Sequence, residues 1–528
     1  MDERRPVQSD EAVAVASASD TRPVGPNANE PGAPNDHVAI IGSGVGALSA
    51  AIKCRAAGMS VSVFEKNKHL GGKLGAIRVK GRAIDSGPTV FTLKPLFDEL
   101  FESAGLSFDD FATTEKLDTL AYHIWPDDSD VTLYADVGKS AEAIRAFGGD
   151  SAMRAYRSFA HSSLKAFETL DQRFMRQKGP SMLALFKGLN LSGLLAGSPF
   201  TTLWKKLDSI FDDKRLTQLF ARYSTYCGSS PFLAPATLML VAHAEQRGVW
   251  AIKGGMAGLA QALVQAGSKL GVTYHTGSNV AELDIEDNRV QAIHLASGKQ
   301  IKVGRVIFGG DICALTGGLL GGAGRAAGGT LPVDDRSLSA ITFQLTAKLS
   351  GRALQHHTVV FGSDYRDEFD AIFDRGEITP DPTIYLCCPD RGPFQEPNED
   401  GDERIFMLIN APATGDRHSY TSEEKRAWFN RVTDRLARHD IRMEPTSEPV
   451  ITSPTEFSTL FPATGGALYG RANHGPFASF KRSPVKSKVK GLYLAGGSVH
   501  PSPGVPMASL SGQMAADCLI SDWISAKK

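Results

Sequence analysis

The clearest chemical signal in the chain is the turn Gly42-Ser43-Gly44-Val45-Gly46-Ala47, a G-x-G-x-x-A pattern. Gly42 permits a tight turn, Gly44 lets backbone approach a phosphate with no Cβ in the way, and Ala47 lets a helix pack closely on a sheet. The N–H groups at such a helix start, together with its dipole, attract a dinucleotide pyrophosphate. Glu65 follows 18 residues beyond Ala47. A carboxylate there accepts hydrogen bonds from ribose hydroxyls and repels a 2′-phosphate, so NADP fits poorly.

A glycine-rich turn alone is a common loop, and what gives this one meaning is the elements around it. Val38 to Ile41 is a short apolar run of the buried-strand kind, and Leu48 to Ala57 has helical composition. Gly58 is a natural helix stop, and Val61 to Phe64 reads as a second strand. Strand, turn, helix and acidic strand end are the context a dinucleotide fingerprint requires.

The next segments point to FAD rather than NAD. Lys66 opens a stretch that ends in Gly71-Gly72-Lys73. The glycines allow a second close backbone approach to the pyrophosphate, and Lys73 offsets its charge. Arg82 to Thr89, containing Gly87-Pro88, gives a rigid turn that can run beside the flavin. Near the C-terminus, Gly491 to Gly497 reads as a strand ending in Gly496-Gly497, and Ser498 to Met507 as a loop. A helix opening at Met507–Ala508, just after Val505 and Pro506, points N–H groups at the flavin N1/O2 edge, where charge develops on reduction.

Between these segments, Trp250 to Leu263 carries a Gly-Gly turn into a helix. Gly271 to Val280 is strand-like, with Val280 set to touch the adenine through its backbone, and Val303 to Asp311 is a buried strand ending in Gly309-Gly310-Asp311. The expected fold is α/β. It has a discontinuous Rossmann-like FAD-binding domain (37–95, 246–324 and 476–528) and a mixed α+β substrate domain (96–245 and 325–475).

Composition sets the outer bounds. The 528 residues are 42% apolar and 22% charged, which suits two or more globular domains. A net charge of −1 gives no global field to attract nucleic acid. The cysteines (Cys54, Cys227, Cys313, Cys387, Cys388 and Cys518) show neither C-x-x-C nor zinc-ligand spacing, so the expectation is no metal and a reducing, cytoplasmic setting. Residues 1–36 read as a disordered extension without a signal-peptide core. With no apolar run of about 18 residues or more, a spanning helix is not expected.

The motifs together resemble the flavin-dependent amine oxidase and carotenoid desaturase superfamily, where the usual pattern has Arg at the place of Lys73. From about His37 onward the sequence is similar to bacterial carotenoid desaturases of the phytoene desaturase type. Asp85 to Phe91 and Leu492 to Gly504 carry that likeness. His243 to Trp250, running on through Gly254-Gly255-Met256, resembles the hydroxycarotenoid 3,4-desaturases, also called methoxyneurosporene dehydrogenases. The resemblance implies removal of two hydrogens from neighbouring carbons of a C40 polyene, an allylic C–H lying about 3–3.5 Å from flavin N5. A long apolar slot matters more to such a reaction than a strong base. The final electron acceptor stays open, since oxygen, a quinone or another carrier all fit.

Three residues are weak catalytic candidates: Glu245, Arg247 and His500. The bland alternatives are an exposed salt-bridge pair or turn charge for Glu245 and Arg247, and loop packing for His500. His356–His357 reads as a surface pair, and Asp85 as a structural turn residue. Because the implied substrate is insoluble in water, a bilayer contact is expected. Residues 182–211 suit an interfacial helix pair or a packed lid equally, and Lys481, Arg482, Lys486, Lys488 and Lys490 suit an anionic-lipid patch or a solvated loop. Other readings stay open: a phytoene desaturase, a carotenoid isomerase using reduced FAD, an amine or porphyrinogen oxidase, and a non-enzymatic lipid-binding protein like the prenyl-protein escorts.

Overall fold

Four consecutive apolar residues, Val38 to Ile41, need burial on both faces, and only a central strand of a covered parallel sheet provides it. They form most of strand β1 (His37–Ile41), with Val38, Ala39 and Ile40 at 0% exposure. The structure is a computed structural model that describes residues 36–179, 200–328, 331–396 and 400–528. Strands β2 (Ser60–Phe64), β3 (Thr273–His275), β4 (Val306–Phe308) and β5 (Leu492–Leu494) join β1 in a parallel sheet of order β3-β2-β1-β4-β5. Strand order reverses between β1 and β4. In open α/β sheets, ligands bind beyond the carboxyl ends of the strands at that point. Gly42 and Gly309 each follow directly after those strand ends.

Three helices matter to the site: α1 (Val45–Ala56), α2 (Gly255–Leu270) and α3 (Val505–Lys527). Helix α1 is apolar nearly all round because it is enclosed by the sheet and the other two helices. It stops at Gly58, which takes φ +87° and donates its N–H to the Arg55 carbonyl at 2.9 Å. Helix α3 begins at Val505, earlier than the Met507–Ala508 start read from the sequence. Pro506 in its first turn explains the difference, since proline is favoured there and lacks an N–H that would go unpaired. The Gly271 to Val280 stretch is also divided. A turn with Gly277 at φ +63° separates β3 from a hairpin strand, Val280–Glu286.

A second layer is built on an eight-stranded sheet. Its longest strand, Ser339–Gly351, pairs antiparallel with Glu403–Ala411, Ile441–Pro445 and Val450–Thr452. Thr119–Ile124 enters the same sheet beside His357–Val360, in parallel. A small antiparallel sheet of Phe91–Thr92, Val249–Ile252 and Thr114–Lys116 ties the two layers together.

Residues 180–199 lie outside the described residues, and most of the 182–211 expectation lies with them. The described remainder includes a short helix, Leu203–Asp208, with Leu203 and Leu207 fully buried and Phe200 72% exposed. Among the described residues no helix is long and apolar enough to cross a membrane. The basic cluster near 481–490 needs one correction. Arg482 is buried, and its guanidinium donates to the carbonyls of Tyr469, Arg471 and Gly497, because buried loop carbonyls need donors and one guanidinium can serve several of them. Lys486 pairs with Asp522.

Candidate active site

Glycines stack in layers at the switch point. A Cβ on Gly72 would stand 2.9 Å from Gly44 Cα, one on Gly87 would stand 2.0 Å from the Lys73 carbonyl oxygen, and one on Gly309 would stand 2.6 Å from Ala47 Cβ. The first turn, the Gly71–Gly72 turn and the Gly87–Pro88 turn are therefore in backbone contact. Gly44 differs. Only the Gly309 carbonyl comes within 4 Å of its Cβ position, at 3.9 Å, so the added carbon would point into open cavity.

Ser43 and Glu65 lock the turn to the strand end. The Ser43 amide and hydroxyl donate to Glu65 Oε2 at 2.9 and 2.7 Å, and the Asn67 amide donates to Oε1 at 2.9 Å. The carboxylate is thus fixed at the rim of the cavity, with lone pairs left for further donors. Lys66 and Lys73 also line the cavity, but their ammonium groups rest on the Leu460 and Leu468 carbonyls. Burial pulls the Lys73 ammonium down, with Asp311 pulling the other way. Asp311 accepts the Cys313 amide at 2.9 Å and caps the short helix after β4. Val280 lines the cavity wall next to Ser278 and Asn279.

Two helices open into this space without a side-chain cap: α1 after Gly44, and α3 after Gly504. Their unpaired first-turn N–H groups need acceptors, and a pyrophosphate and an electron-rich ring edge are acceptors of the right charge. Helix α2 shows the contrast. Its first N–H groups are taken by Asp85, which accepts from Met256 at 2.9 Å and Ala257 at 3.2 Å. Asp85 is a cap between distant segments.

Burial pushes the Asp85 carboxyl up to about 6, although the two N–H donors and Arg404 pull it down. A raised folded-state pKa favours the protonated form, so its stabilising effect is lost as pH rises from about 3.8 through about 6. The loss is at most about 3 kcal/mol. Asp85→Asn removes the titration and keeps one acceptor. The wild type is expected to lose melting temperature relative to this variant between about pH 4 and about pH 6, then run parallel to it above. Parallel curves across the whole range would refute the assignment.

The cavity these parts surround measures about 1310 Å³ and continues from the Gly42 turn into the second layer. Ordinary small-molecule sites span about 300–1,000 Å³, so this one has room for a dinucleotide and part of a second ligand. The open Gly44 face, the stacked glycines and the two uncapped helix starts fit FAD.

Comparison with known proteins points to the same cofactor. Over residues 48–520 the chain matches the flavin containing amine oxidoreductases. Hydroxyneurosporene desaturase of Rubrivivax gelatinosus is 39% identical over 497 residues, covering 93% of this chain and 94% of that protein. The chain is an FAD-dependent oxidoreductase of the carotenoid desaturase family. The 1-hydroxycarotenoid 3,4-desaturase of Flavobacterium sp. (strain P99-3) is 31% identical over 488 residues, covering 91% of the enzyme and 98% of its relative. Among solved structures, an oxidoreductase from Methanosarcina mazei matches with a TM-score of 0.58 at 15% identity, covering 91% of this chain and 100% of that one. At that identity the match speaks for the fold alone.

The three catalytic candidates fall in different places. His500 is fully buried and outside the cavity lining. Its Nε2 meets the Gln177 carbonyl at 2.8 Å, its ring packs edge-on against Phe174, and burial pushes its pKa down to about 4. Arg247 is exposed, with its guanidinium over the Phe167 ring. Glu245 is the only one of the three to line the cavity. It is no exposed partner of Arg247, being 5% exposed and held by the Tyr223 and Tyr226 hydroxyls.

His356–His357 is not a surface pair. His357 lies on a strand of the second layer, 3% exposed, with Nδ1 2.8 Å from the Tyr385 hydroxyl. Donor atoms of His356, His357 and Cys387 come within 4.8 Å of one another, a grouping made by strand pairing that sequence spacing does not show. Burial holds the Cys387 thiol well above its usual range, so it keeps its proton. Sequence reasoning also missed Arg222, Tyr226 and Tyr385, all on the cavity wall. Arg222-Tyr223-Ser224-Thr225-Tyr226 was a readable polar-aromatic cluster, but nothing local marks it as facing a ligand.

Proposed function

We propose that the enzyme introduces a carbon–carbon double bond at the 3,4 position of an acyclic carotenoid with a 1-hydroxy or 1-methoxy end. The observation that carries this reading is the single cavity joining the cofactor cradle to an apolar slot, walled by Phe167, Leu170, Phe174, Leu238 and Val241. Bound in the cradle, FAD supplies the hydride acceptor. The chain's own part is to exclude water and hold an allylic carbon in line with the ring, which accounts for much of the barrier in a reaction of this kind. The names of the two relatives support the choice of an oxygenated substrate and of the 3,4 position.

The same reading includes loading from a membrane surface on the cytoplasmic side, with oxygen or a quinone taking the electrons. Three exposed apolar side chains support the surface contact: Phe200 at 72%, Leu233 at 47% and Phe477 at 44%. Phe200 and Phe477 rings lie 6.0 Å apart, and Gly475 bonds to the Leu233 carbonyl at 2.9 Å. The patch adjoins Pro476 and Phe480, which line the cavity.

The test uses FAD-reconstituted protein and liposomes containing neurosporene or its 1-hydroxy or 1-methoxy derivative. Oxygenated substrates are expected to give a red-shifted product lighter by two hydrogens. Conversion of phytoene alone would overturn the 3,4 assignment. A product of unchanged mass would make the enzyme an isomerase, and protein that takes up flavin and carotenoid without turnover would make it a binding protein.

A further inference from the structure

The polar part of the cavity wall holds a charge that hydride removal does not use. Arg222 and Glu245 both line it. Glu245 is saturated by phenols, since Tyr223 Oη donates to Oε2 at 2.7 Å and Tyr226 Oη donates to Oε1. The guanidinium of Arg222 makes one hydrogen bond among the described residues, a long one of 3.4 Å to Tyr226 Oη. No carboxylate among those residues lies within ion-pair distance of it. Guanidinium carries five N–H donors, and a cation removed from water is stable only where its charge and donors are answered. Burial works against the Arg222 charge, and the Glu245 carboxylate, linked to it through the Tyr226 hydroxyl, offsets that cost. The charge is answered; the donors are not. The open side of Arg222 is the cavity.

Position narrows the choice of acceptor. Arg222 and Tyr226 share the short helix Arg222–Cys227, and Cys227 Sγ lies 3.9 Å from Ser502 Oγ in the loop that leads to α3. A helix of that type rises about 2 Å per residue, so the Arg222 backbone is on the order of 10 Å along the axis from Cys227, and Arg222 and Ser502 line the same cavity. In a carotenoid desaturated at the 3,4 position, the C-1 oxygen is only three bonds from C-3. A group that reads that oxygen has to stand beside the reacting bond, not at the far end of a tunnel.

We propose that Arg222, steered by Tyr226 and Glu245, donates hydrogen bonds to the C-1 oxygen and so selects oxygenated carotenoid ends over hydrocarbon ends. The assignment rests on the substrate reading above. A donor-only group suits both substrates of that reading, because a hydroxyl and a methyl ether each offer lone pairs, while only the hydroxyl offers a proton. Glu245 leaves the cluster without net charge, so selection adds no unbalanced positive field next to the carbon that gives up hydride. A hydrogen bond to a charged donor is worth about 10- to 100-fold in discrimination.

The experiment compares FAD-loaded wild type, Arg222→Met and Arg222→Lys on liposomes holding 1-hydroxyneurosporene or neurosporene. The double variant Arg222→Met/Glu245→Gln keeps the cluster neutral should the single variant fold poorly. The ratio of kcat/KM for hydroxylated over plain substrate is expected to fall about 10- to 100-fold on loss of the guanidinium, mainly through KM, with partial recovery in the lysine variant. The flavin absorbance spectrum is expected to stay as in the wild type. An unchanged ratio in a protein whose wild type prefers oxygenated ends overturns the Arg222 assignment and leaves the substrate reading standing. Equal losses on both substrates together with an altered flavin spectrum overturn it too, by making Arg222 part of the flavin site. A wild type with no preference overturns both.

Discussion

Gly44→Val protein is expected to fold with the melting temperature of wild-type apoprotein and to purify without flavin. Gly44 sits at φ −66° and ψ 168°, a backbone conformation valine adopts freely, so no strain opposes the change. Its Cβ position has only the Gly309 carbonyl oxygen within 4 Å, at 3.9 Å. The Cβ therefore costs the empty fold almost nothing, and the side chain it carries occupies space that the first turn of α1 offers to a phosphate. Each charge-assisted hydrogen bond displaced there is worth about 1.5–3 kcal/mol, so losing two or three weakens FAD binding by about a hundredfold or more. Visible absorbance of the purified protein, FAD titration of the apoprotein and its thermal melt together decide the matter. Bound flavin in the variant would place the pyrophosphate elsewhere.

Features that were legible in the sequence are those whose physics is local. The Gly42 turn, Glu65 at the next strand end and Gly58 at the helix stop each act within one strand–helix–strand unit, where spacing fixes geometry. The Gly71–Gly72 pair was visible for the same reason, although its contact with Gly44 was not. What stayed hidden depends on pairing across the chain. Ser49 and Ser509 share a hydrogen bond at a separation of 460 residues, and Glu245 is enclosed by tyrosines from a different segment. A polar residue in a helical stretch reads as a solvated face unless something shows what covers it. That is why Glu245 read as a turn charge, Arg482 as part of a basic patch and His357 as exposed. All three are buried, and each has partners that only the topology supplies.

The second large effect comes from a residue that touches no ligand. Gly512→Ala is expected to destabilise the apoprotein itself and to lose flavin as a consequence. Helices α1 and α3 cross where Gly46 meets Gly512, and a Cβ on Gly512 would stand 1.8 Å from the Gly46 carbonyl oxygen. Both sides of that contact are backbone, so no rotamer change relieves it. Gly46 has no room to retreat either, since its own Cβ position is 2.7 Å from the Ala508 carbonyl oxygen and 2.9 Å from the Gly496 amide nitrogen. The helices have to separate, and separation breaks the 2.8 Å hydrogen bond between the fully buried Ser49 and Ser509 hydroxyls. Overpacking of this kind costs about 1–3 kcal/mol and a broken buried hydrogen bond about as much again. A combined loss of about 2–6 kcal/mol is a large share of a domain's stability and lowers the melting temperature by several degrees. The same shift moves the Val505–Ala508 end of α3 away from the Gly42 turn, so the two uncapped helix starts no longer face one ligand. The order of failure separates the two variants: Gly44→Val loses flavin from a stable apoprotein, whereas Gly512→Ala melts early even with no flavin to lose. A Gly512→Ala apoprotein that melts with the wild type would mean that the Gly46–Gly512 crossing does not hold the two helix starts in place.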